Sequence, residues 1–92
     1  MPELSREMRP RLVSYARVQW DATRERHVLL IPEGVLMLND TGVAILKLCD
    51  GQRTIATIAA ELSAQYQQSV EQDVIEYLQR LVDKRLIELH HD

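Results

Sequence analysis

The sequence HVLLIPEGVLML occupies residues 27–38 and predicts the central feature of this chain. Residues 28–31 and 35–38 are two short apolar runs, and Pro32-Glu33-Gly34 between them has the composition of a turn. Two such runs joined by a short loop with proline and glycine predict a β-hairpin. Because both runs are apolar throughout, the hairpin has no polar face. One face can pack on the chain's own helices, but the other also needs cover.

The segment before the hairpin predicts one more strand, preceded by a loose arm. Apolar and polar residues alternate over residues 16–21, with Val18 and Trp20 on the same side, which predicts a half-buried strand. Together with the hairpin, this strand makes an antiparallel meander of three strands. Residues 1–12 are polar, charged and contain two prolines. We therefore expect a flexible N-terminal arm over residues 1–12 and a single domain over residues 13–92.

Two helices are predicted directly after the hairpin. The first covers residues 43–48, begins at one of the N-cap candidates in residues 39–41, and stops at Asp50-Gly51. Thr54 is the expected N-cap of the second helix. The apolar residues of this second helix follow a one-sided helical spacing and are Ile55, Ile58, Ala59, Leu62 and Tyr66.

A third helix is predicted over residues 70–85. Ser69 and Gln72 match a capping box at its start. Its apolar stripe covers nearly half of the helix circumference and consists of Val70, Val74, Ile75, Tyr77, Leu78, Leu81 and Val82. Residues 86–89 are expected to form a short extended tail. The predicted fold class is therefore α+β, with a three-stranded antiparallel sheet followed by three helices.

Composition and charge exclude several classes of protein. The 92 residues suffice for one domain, and the net charge of −3 offers no basic surface for a nucleic acid or an anionic membrane. Phe is absent, so the core must consist of Leu, Ile and Val. Residues 1–10 lack the apolar segment of a signal peptide, and no run approaches the length of a membrane span. A single cysteine fits a reducing compartment, so we expect a cytoplasmic protein.

The sequence offers little catalytic chemistry. His27 stands alone at the start of a strand, and the adjacent His90 and His91 would point in opposite directions on an extended tail. Cys49 ends an apolar helix with no histidine near it in sequence, which favours a buried, unreactive thiol. We therefore expect no enzyme, no metal site and no cofactor.

A winged-helix DNA-binding regulator is one alternative, because three short helices and a small sheet suit that fold. Such a protein needs Arg, Lys, Asn or Gln on the helix that meets DNA. Residues 54–68 contain no Lys or Arg, and the third helix begins with Glu71, Asp73 and Glu76. These carboxylates would face phosphate groups, so we expect no nucleic-acid partner.

The apolar hairpin favours a peptide partner. If the meander runs in chain order, residues 35–38 form an edge strand without Lys or Pro, which is prone to association unless a partner uses it. An added peptide strand would pair with its free amides and carbonyls. One flank of the third helix could line a groove beside this strand, or the whole stripe could be core. A self-associating adaptor, a homodimer formed through the same edge, is a further alternative.

Several motifs resemble those of the PqqD family, the pyrroloquinoline quinone (PQQ) biosynthesis protein D. They are Ile31-Pro32-Glu33-Gly34, Leu38-Asn39-Asp40-Thr41-Gly42, Ile45-Leu46-Lys47-Leu48-Cys49-Asp50-Gly51, Arg53-Thr54-Ile55, Asp73-Val74, Tyr77-Leu78 and Lys84-Arg85-Leu86-Ile87. Together they span about residues 10–90. Two positions depart from the family: Ile31 stands where an aromatic residue is common, and Arg85 stands where Gly often ends a helix.

The resemblance implies a winged-helix-like peptide chaperone, a recognition element of a peptide-modifying pathway, without a cofactor. Its implied partners are the precursor peptide PqqA and the radical S-adenosylmethionine enzyme PqqE, which cross-links a Glu and a Tyr of that peptide. In this family the leader peptide adds as a strand beside the third strand and packs against the third helix. The implied peptide-binding residues, with those that face inward left open, are Val35, Leu36, Met37, Leu38, Val74, Tyr77, Leu78 and Leu81.

Overall fold

The structure is a computed structural model that describes residues 4–91. Within this range the elements are β1 Arg9–Leu12, β2 Arg17–Asp21, β3 Arg26–Ile31, β4 Gly34–Met37, α1 Asp40–Lys47, α2 Ile55–Tyr66, α3 Glu71–Asp83 and β5 Ile87–His90. The predicted α+β class is confirmed, with three antiparallel strands followed by three helices. Two further strands, β1 and β5, pair with each other at the two ends of the chain.

Strands β2, β3 and β4 form an antiparallel sheet in chain order, which confirms the predicted meander and places β4 at an edge. Leu29 pairs with Val18 on one side and Leu36 on the other. Leu29 is fully buried, and its two neighbours pack partly buried against the same core. Gly34 follows the turn with φ of +146°, a conformation that glycine adopts at little cost.

The N-terminal segment forms a strand where the sequence predicted a loose arm. β1 pairs antiparallel with β5, from Arg9 opposite His90 to Leu12 opposite Ile87, and Pro10 is fully buried. The expected boundary at residue 12 is therefore wrong for β1, which belongs to the domain. No local pattern indicates this pairing, because the two strands lie at opposite ends of the chain. Residues 1–3, the first part of the predicted arm, lie outside the described residues.

Residues just before β1 also complete the start of α2. The carbonyls of Arg6 and Met8 accept hydrogen bonds from the N–H groups of Ala56 and Ile55, at 3.0 and 2.9 Å. A helix start leaves four N–H groups without an intrahelical partner, and these two bonds satisfy half of them. The segment is thus held by specific backbone contacts.

Side chains cap two of the helices as predicted. Asn39, one of the three candidates, is the N-cap of α1, and its Oδ1 accepts a hydrogen bond from the Gly42 N–H at 2.7 Å. Thr54 caps α2 by accepting a hydrogen bond from the Thr57 N–H at 3.1 Å. Each such cap typically contributes about 1 kcal/mol.

The start of α3 differs from the predicted capping box. Val70 is the N-cap residue, so Ser69 lies one position too early, and no side chain caps this helix from its own N-cap. The Val70 N–H instead donates to the Ser63 hydroxyl on α2, at 3.0 Å. The Gln72 side chain reaches Glu76 and not the helix start. A contact between two helices therefore replaces the predicted local cap.

Aliphatic side chains of the three helices and of one sheet face form a single core. The most enclosed of these side chains, each with 0% exposure, are Leu29, Ile55, Ile58, Val74 and Leu78. The predicted Leu, Ile and Val core is confirmed. Burial of each such side chain favours folding by roughly 1.5–3 kcal/mol, so both the sheet and α3 are tied to the same core.

A strained residue lies just after the C-terminal end of α3. Arg85 has φ of +62°, in the left-handed region, which costs a residue with a Cβ roughly 1 kcal/mol. Its N–H donates to the Val82 carbonyl, and the Leu86 N–H donates to the Leu81 carbonyl, both at 2.9 Å. This is the Schellman arrangement, in which the left-handed position usually holds Gly.

We expect Arg85→Gly to stabilise the protein by about 0.5–1 kcal/mol, because Gly removes the left-handed penalty and keeps both hydrogen bonds. Lys84→Gly is the matched control, since Lys84 has φ of −86° and gains nothing from Gly there. Equilibrium urea unfolding of the two variants and the wild type measures the difference. An Arg85→Gly protein that unfolds more easily than the wild type would contradict the assigned strain.

Candidate functional site

The free edge of β4 presents backbone groups of Val35 and Met37. The Leu38 N–H donates to the His27 carbonyl at 3.2 Å, so residues 27 and 38 form a hydrogen-bonded pair. Such pairs alternate with non-hydrogen-bonded pairs along an antiparallel ladder. In the β3–β4 register, Val35 and Met37 therefore occupy the non-hydrogen-bonded positions. Their N–H and C=O groups point away from β3, toward the free edge.

The side chains of β4 and the following residue alternate between two faces. Leu36 is partly buried against the core and Leu38 is 5% exposed, whereas Val35 and Met37 are 37% and 48% exposed. Of these four residues assigned from the family resemblance, Val35 and Met37 are accessible through both backbone and side chain. Leu36 and Leu38 mainly serve the core.

The opposite edge of the sheet, β2, carries charge. Arg17 and Asp21 are the first and last residues of this strand, and charged residues on an edge discourage pairing with another strand. Asp21 also accepts hydrogen bonds from the Thr23 and Arg24 N–H groups at the following turn. β4 has no charged residue, so it is the edge better suited to accept a further strand.

Three of the four assigned α3 residues are core residues. Val74 and Leu78 are 0% exposed and Leu81 is 4% exposed, so their assignment to a groove is wrong. The apolar stripe is wide because α3 packs against both α2 and β5, which cover it from two sides. Tyr77 is the remaining member, and it is only partly buried.

Tyr77 lies in a cleft between α3 and the start of α1. The cleft has a volume of about 230 Å³ and is lined by Asn39, Thr41, Gly42, Ile45, Asp73, Glu76, Tyr77 and Arg80. Because α1 begins three residues after the end of β4, the cleft lies close to the free edge in the chain. Most of its lining is polar, so the predicted apolar groove is not what α3 presents here.

Charged residues surround Tyr77 at helical spacing. Asp73 lies four residues before it, Arg80 lies three residues after it, and the Arg80 guanidinium carbon is 5.6 Å from the Tyr77 ring centroid, a cation–π distance. Burial raises the pKa of the Tyr77 phenol above its ordinary value. The apolar pattern does not identify these polar residues. The positions of Asp73 and Arg80, four residues before and three residues after Tyr77, could have identified them, because residues at this spacing share one side of a helix.

Gly42 permits a close approach between α1 and α3. A Cβ placed on Gly42 would lie 2.8 Å from the Tyr77 hydroxyl oxygen and 3.1 Å from the Tyr77 Cζ. Both distances are shorter than ordinary van der Waals contact. The width of the cleft at Tyr77 therefore depends on the absence of a side chain at Gly42.

Cys49 is buried, as predicted, and is 6% exposed. Its Sγ donates to the Ile45 carbonyl at 3.3 Å. Burial, with a smaller effect of the neighbouring Asp50 charge, raises the pKa of the Cys49 thiol to about 12. A thiol that stays protonated at neutral pH is a poor nucleophile, so Cys49 has a packing role.

The histidines do not assemble a reactive centre. The His27 ring meets Trp20 edge-on, with 5.1 Å between ring centroids. His90 and His91 line a separate cleft beside two arginines. Among residues 4–91, no three His, Cys, Asp or Glu side chains are close enough to hold a metal ion.

A protein-family model described as Coenzyme PQQ synthesis protein D (PqqD) matches residues 26–87. The match begins at β3 and ends at the start of β5, so it includes the free edge, the cleft and α3. The chain belongs to the PqqD family. Similar PqqD-family relatives include the PqqA binding protein of Azotobacter vinelandii, which is 43% identical over 83 residues, 88% of this chain and 90% of that one. The PqqA binding protein of Klebsiella pneumoniae is 49% identical over 65 residues, 68% of this chain and 71% of that one.

Two solved PqqD structures share the fold. One is the solution NMR structure of the PqqD truncation of Methylobacterium extorquens PqqCD, described as a functional, stand-alone RiPP recognition element. Its TM-score is 0.77 at 38% identity, covering 92% of this chain and 94% of that one. The crystal structure of PqqD from Xanthomonas campestris has a TM-score of 0.56 at 37% identity, covering 90% and 96%.

Gly42→Ala is expected to destabilise the protein by about 1 kcal/mol, because crowding against Tyr77 outweighs the better helix propensity of Ala. Tyr77→Phe removes the nearest atom, the hydroxyl oxygen. Gly42→Ala should therefore lower the free energy of unfolding by less in the Tyr77→Phe protein than in the wild type. Urea unfolding of the wild type, both single variants and the double variant measures the coupling. Equal costs in both backgrounds would show that the hydroxyl does not set the spacing.

Cys49 should react with Ellman's reagent at pH 8 at least 100-fold more slowly in the folded protein than in urea, an order-of-magnitude expectation for a thiol exposed only by opening of the structure. Stopped-flow absorbance measures both rates. Rapid labelling of the folded protein would contradict the packing role of Cys49.

Proposed function

We propose that this chain is a peptide chaperone of pyrroloquinoline quinone biosynthesis that binds the precursor peptide PqqA at the free edge of β4. The observation that carries the proposal is the uncharged apolar strand whose Val35 and Met37 backbone groups face outward. Two relatives named PqqA binding protein, which align with 88% and 68% of this chain, support PqqA as the guest.

Strand addition would use the outward backbone groups in pairs. Guest N–H and C=O groups would bond to those of Val35 and Met37, which sets the guest register in steps of two residues. Each bond contributes about 1 kcal/mol net, and ordering a flexible peptide offsets part of this gain. Moderate affinity suits a chaperone that must release its guest.

The polar cleft would add side-chain recognition to this backbone pairing. A guest that extends past Met37 toward α1 would meet Tyr77 and Arg80, whose hydroxyl and guanidinium groups can donate hydrogen bonds. Asp73 and Glu76 on the same helix can accept them. Tyr77 thus remains a proposed contact, and the three buried α3 residues act by holding the helix against the core.

The proposed role is binding and delivery, without a reaction of its own. PqqE, the radical S-adenosylmethionine enzyme implied by the family resemblance, is the proposed recipient of the loaded chaperone. No helix within residues 4–91 has both the length and the apolar character needed to cross a membrane. A cytoplasmic location and a homodimer remain predictions.

Met37→Pro is expected to weaken PqqA binding about tenfold or more, because proline lacks the N–H that the guest carbonyl would accept and its ring fills that position. The Met37 N–H points away from β3, so the helices should be retained. Isothermal titration calorimetry with synthetic PqqA measures the affinity, and circular dichroism measures the helix content.

Met37→Ala is the matched control, because it removes the side chain and keeps the N–H. A smaller loss than in Met37→Pro would assign the effect to the backbone. Unchanged affinity in Met37→Pro would rule out strand addition at this edge. A gel shift of duplex DNA by the wild type at moderate salt would instead favour the winged-helix regulator.

A further inference from the structure

Arg80 lines the polar cleft but pairs with neither of the carboxylates at its helical spacing. These are Glu76, four residues before it, and Asp83, three residues after it. Glu76 accepts a hydrogen bond from the Gln72 side chain, and Asp83 accepts one from the Gln79 side chain, both at 3.0 Å. Within residues 4–91, no Asp or Glu forms an ion pair with Arg80.

The carboxylates in the cleft lining lie toward the other end of α3. Gln72 is one turn before Glu76 and Arg80 is one turn after it, so the hydrogen bond from Gln72 draws the Glu76 carboxylate away from Arg80. Asp73 lies seven residues before Arg80, which is about 10 Å along the helix axis. Exposed charges separated by more than about 8 Å are largely screened at physiological ionic strength. The cleft is therefore positive at Arg80.

The Tyr77 ring holds the Arg80 guanidinium without using its hydrogen-bond donors. The guanidinium carbon lies over the ring, 5.6 Å from the centroid, and a ring face attracts a cation through its charge. The five N–H donors of Arg remain able to bind an acceptor. Two of them, in parallel, match the two oxygens of a carboxylate.

The opposite wall of the cleft also favours an anion. It consists of the start of α1, with Asn39, Thr41 and Gly42 in the lining. The first N–H groups of a helix have no intrahelical partner, and they give this end a partial positive charge. Asn39 caps the Gly42 N–H, and Asp40, the acidic residue of the first turn, is not in the cleft lining. The cleft thus meets positive charge from both walls.

We infer that the polar cleft selects a carboxylate of the guest peptide, and that Arg80 is the residue that recognises it. The inference rests on the proposed function, because a strand added at β4 brings the guest to this cleft. The selected segment is acidic, with an Asp or Glu side chain or a C-terminal carboxylate beyond the part that pairs with Met37. Backbone pairing at Val35 and Met37 does not depend on guest sequence, so the charged contact supplies selectivity.

The test is calorimetric titration of the wild type and Arg80→Gln with synthetic PqqA and a series of PqqA variants. Each variant replaces one Asp or Glu by its amide, and a further variant has an amidated C-terminus. We expect Arg80→Gln to bind PqqA about fivefold more weakly than the wild type does. One peptide variant should bind the wild type more weakly by about the same factor, and its identity distinguishes a side-chain carboxylate from a terminal one.

Coupling between the two changes identifies the contact. Arg80→Gln should cause no further loss with the affected peptide variant, because the ion pair is already absent. If the affected group is a side chain, a guest with Lys at that position should bind Arg80→Glu more tightly than PqqA does. A loss of affinity through altered folding would show neither effect.

Lys84→Gln is the matched control. It removes a positive charge at the same end of α3, from an exposed residue that does not line the cleft. Its affinity for PqqA should stay within about twofold of the wild type. Circular dichroism of both variants checks that the helices are retained.

Equal PqqA affinity for the wild type and Arg80→Gln would overturn the inference. Losses that add fully for Arg80→Gln and every peptide variant would also overturn it, because no guest carboxylate would then meet Arg80. If PqqA fails to bind the wild type, or binds Met37→Pro as tightly as the wild type, the proposed function itself is rejected. The two failures are therefore distinguishable.

Discussion

The hydrogen bond from the Leu38 N–H to the His27 carbonyl sets the register of β3 and β4, and the rest of the recognition surface depends on this register. It directs Leu36 to the core and turns the backbone groups of Val35 and Met37 outward. A slip by one residue would carry each buried side chain to the opposite face. Leu29 is fully enclosed opposite Leu36. A slip that exposed Leu29 would therefore lower the free energy of unfolding by about 2–3 kcal/mol. The core thereby maintains the geometry of the free edge through Leu36 and Leu38.

α3 connects the same core to the polar cleft. Val74 and Leu78 anchor one side of the helix among buried aliphatic side chains, while Tyr77 and Arg80 stand on the side that meets α1. The close approach at Gly42 holds this second side at a short distance from α1. Packing alone can therefore hold the proposed contact residues Tyr77 and Arg80 in position near the free edge of β4.

The chemistry of this surface is that of a binding protein. Within residues 4–91 the core contains no buried polar or charged residue, and no buried side-chain polar atom lacks a hydrogen bond. The polar groups offered to a guest are backbone amides and carbonyls, a phenol, and exposed charges. Such groups can bind a guest through hydrogen bonds and charge. Cys49, with its raised pKa, is a buried packing residue.

Alternation predicted β2, two apolar runs around a turn predicted β3 and β4, and helical spacing with cap and stop signals predicted the three helices. Chain order then placed β4 at an edge. These features follow from local backbone geometry, because strands and helices repeat every 2 and 3.6 residues. The caps at Asn39 and Thr54 are local in the same sense. The family resemblance added the peptide-binding assignment of β4, since a free edge alone does not identify its partner.

The pairing of β1 with β5 and the burial of individual α3 residues depend on packing between distant segments. β1 pairs with β5 across almost the whole length of the chain, and its Pro and Arg residues carry no strand pattern. Helical spacing showed that Val74, Tyr77, Leu78 and Leu81 share a broad side of α3, but not which of them neighbouring elements cover. Three of these residues are buried in the core, and only Tyr77 of the four lines the cleft. Periodicity is a property of one segment, whereas burial depends on the segments that pack against it.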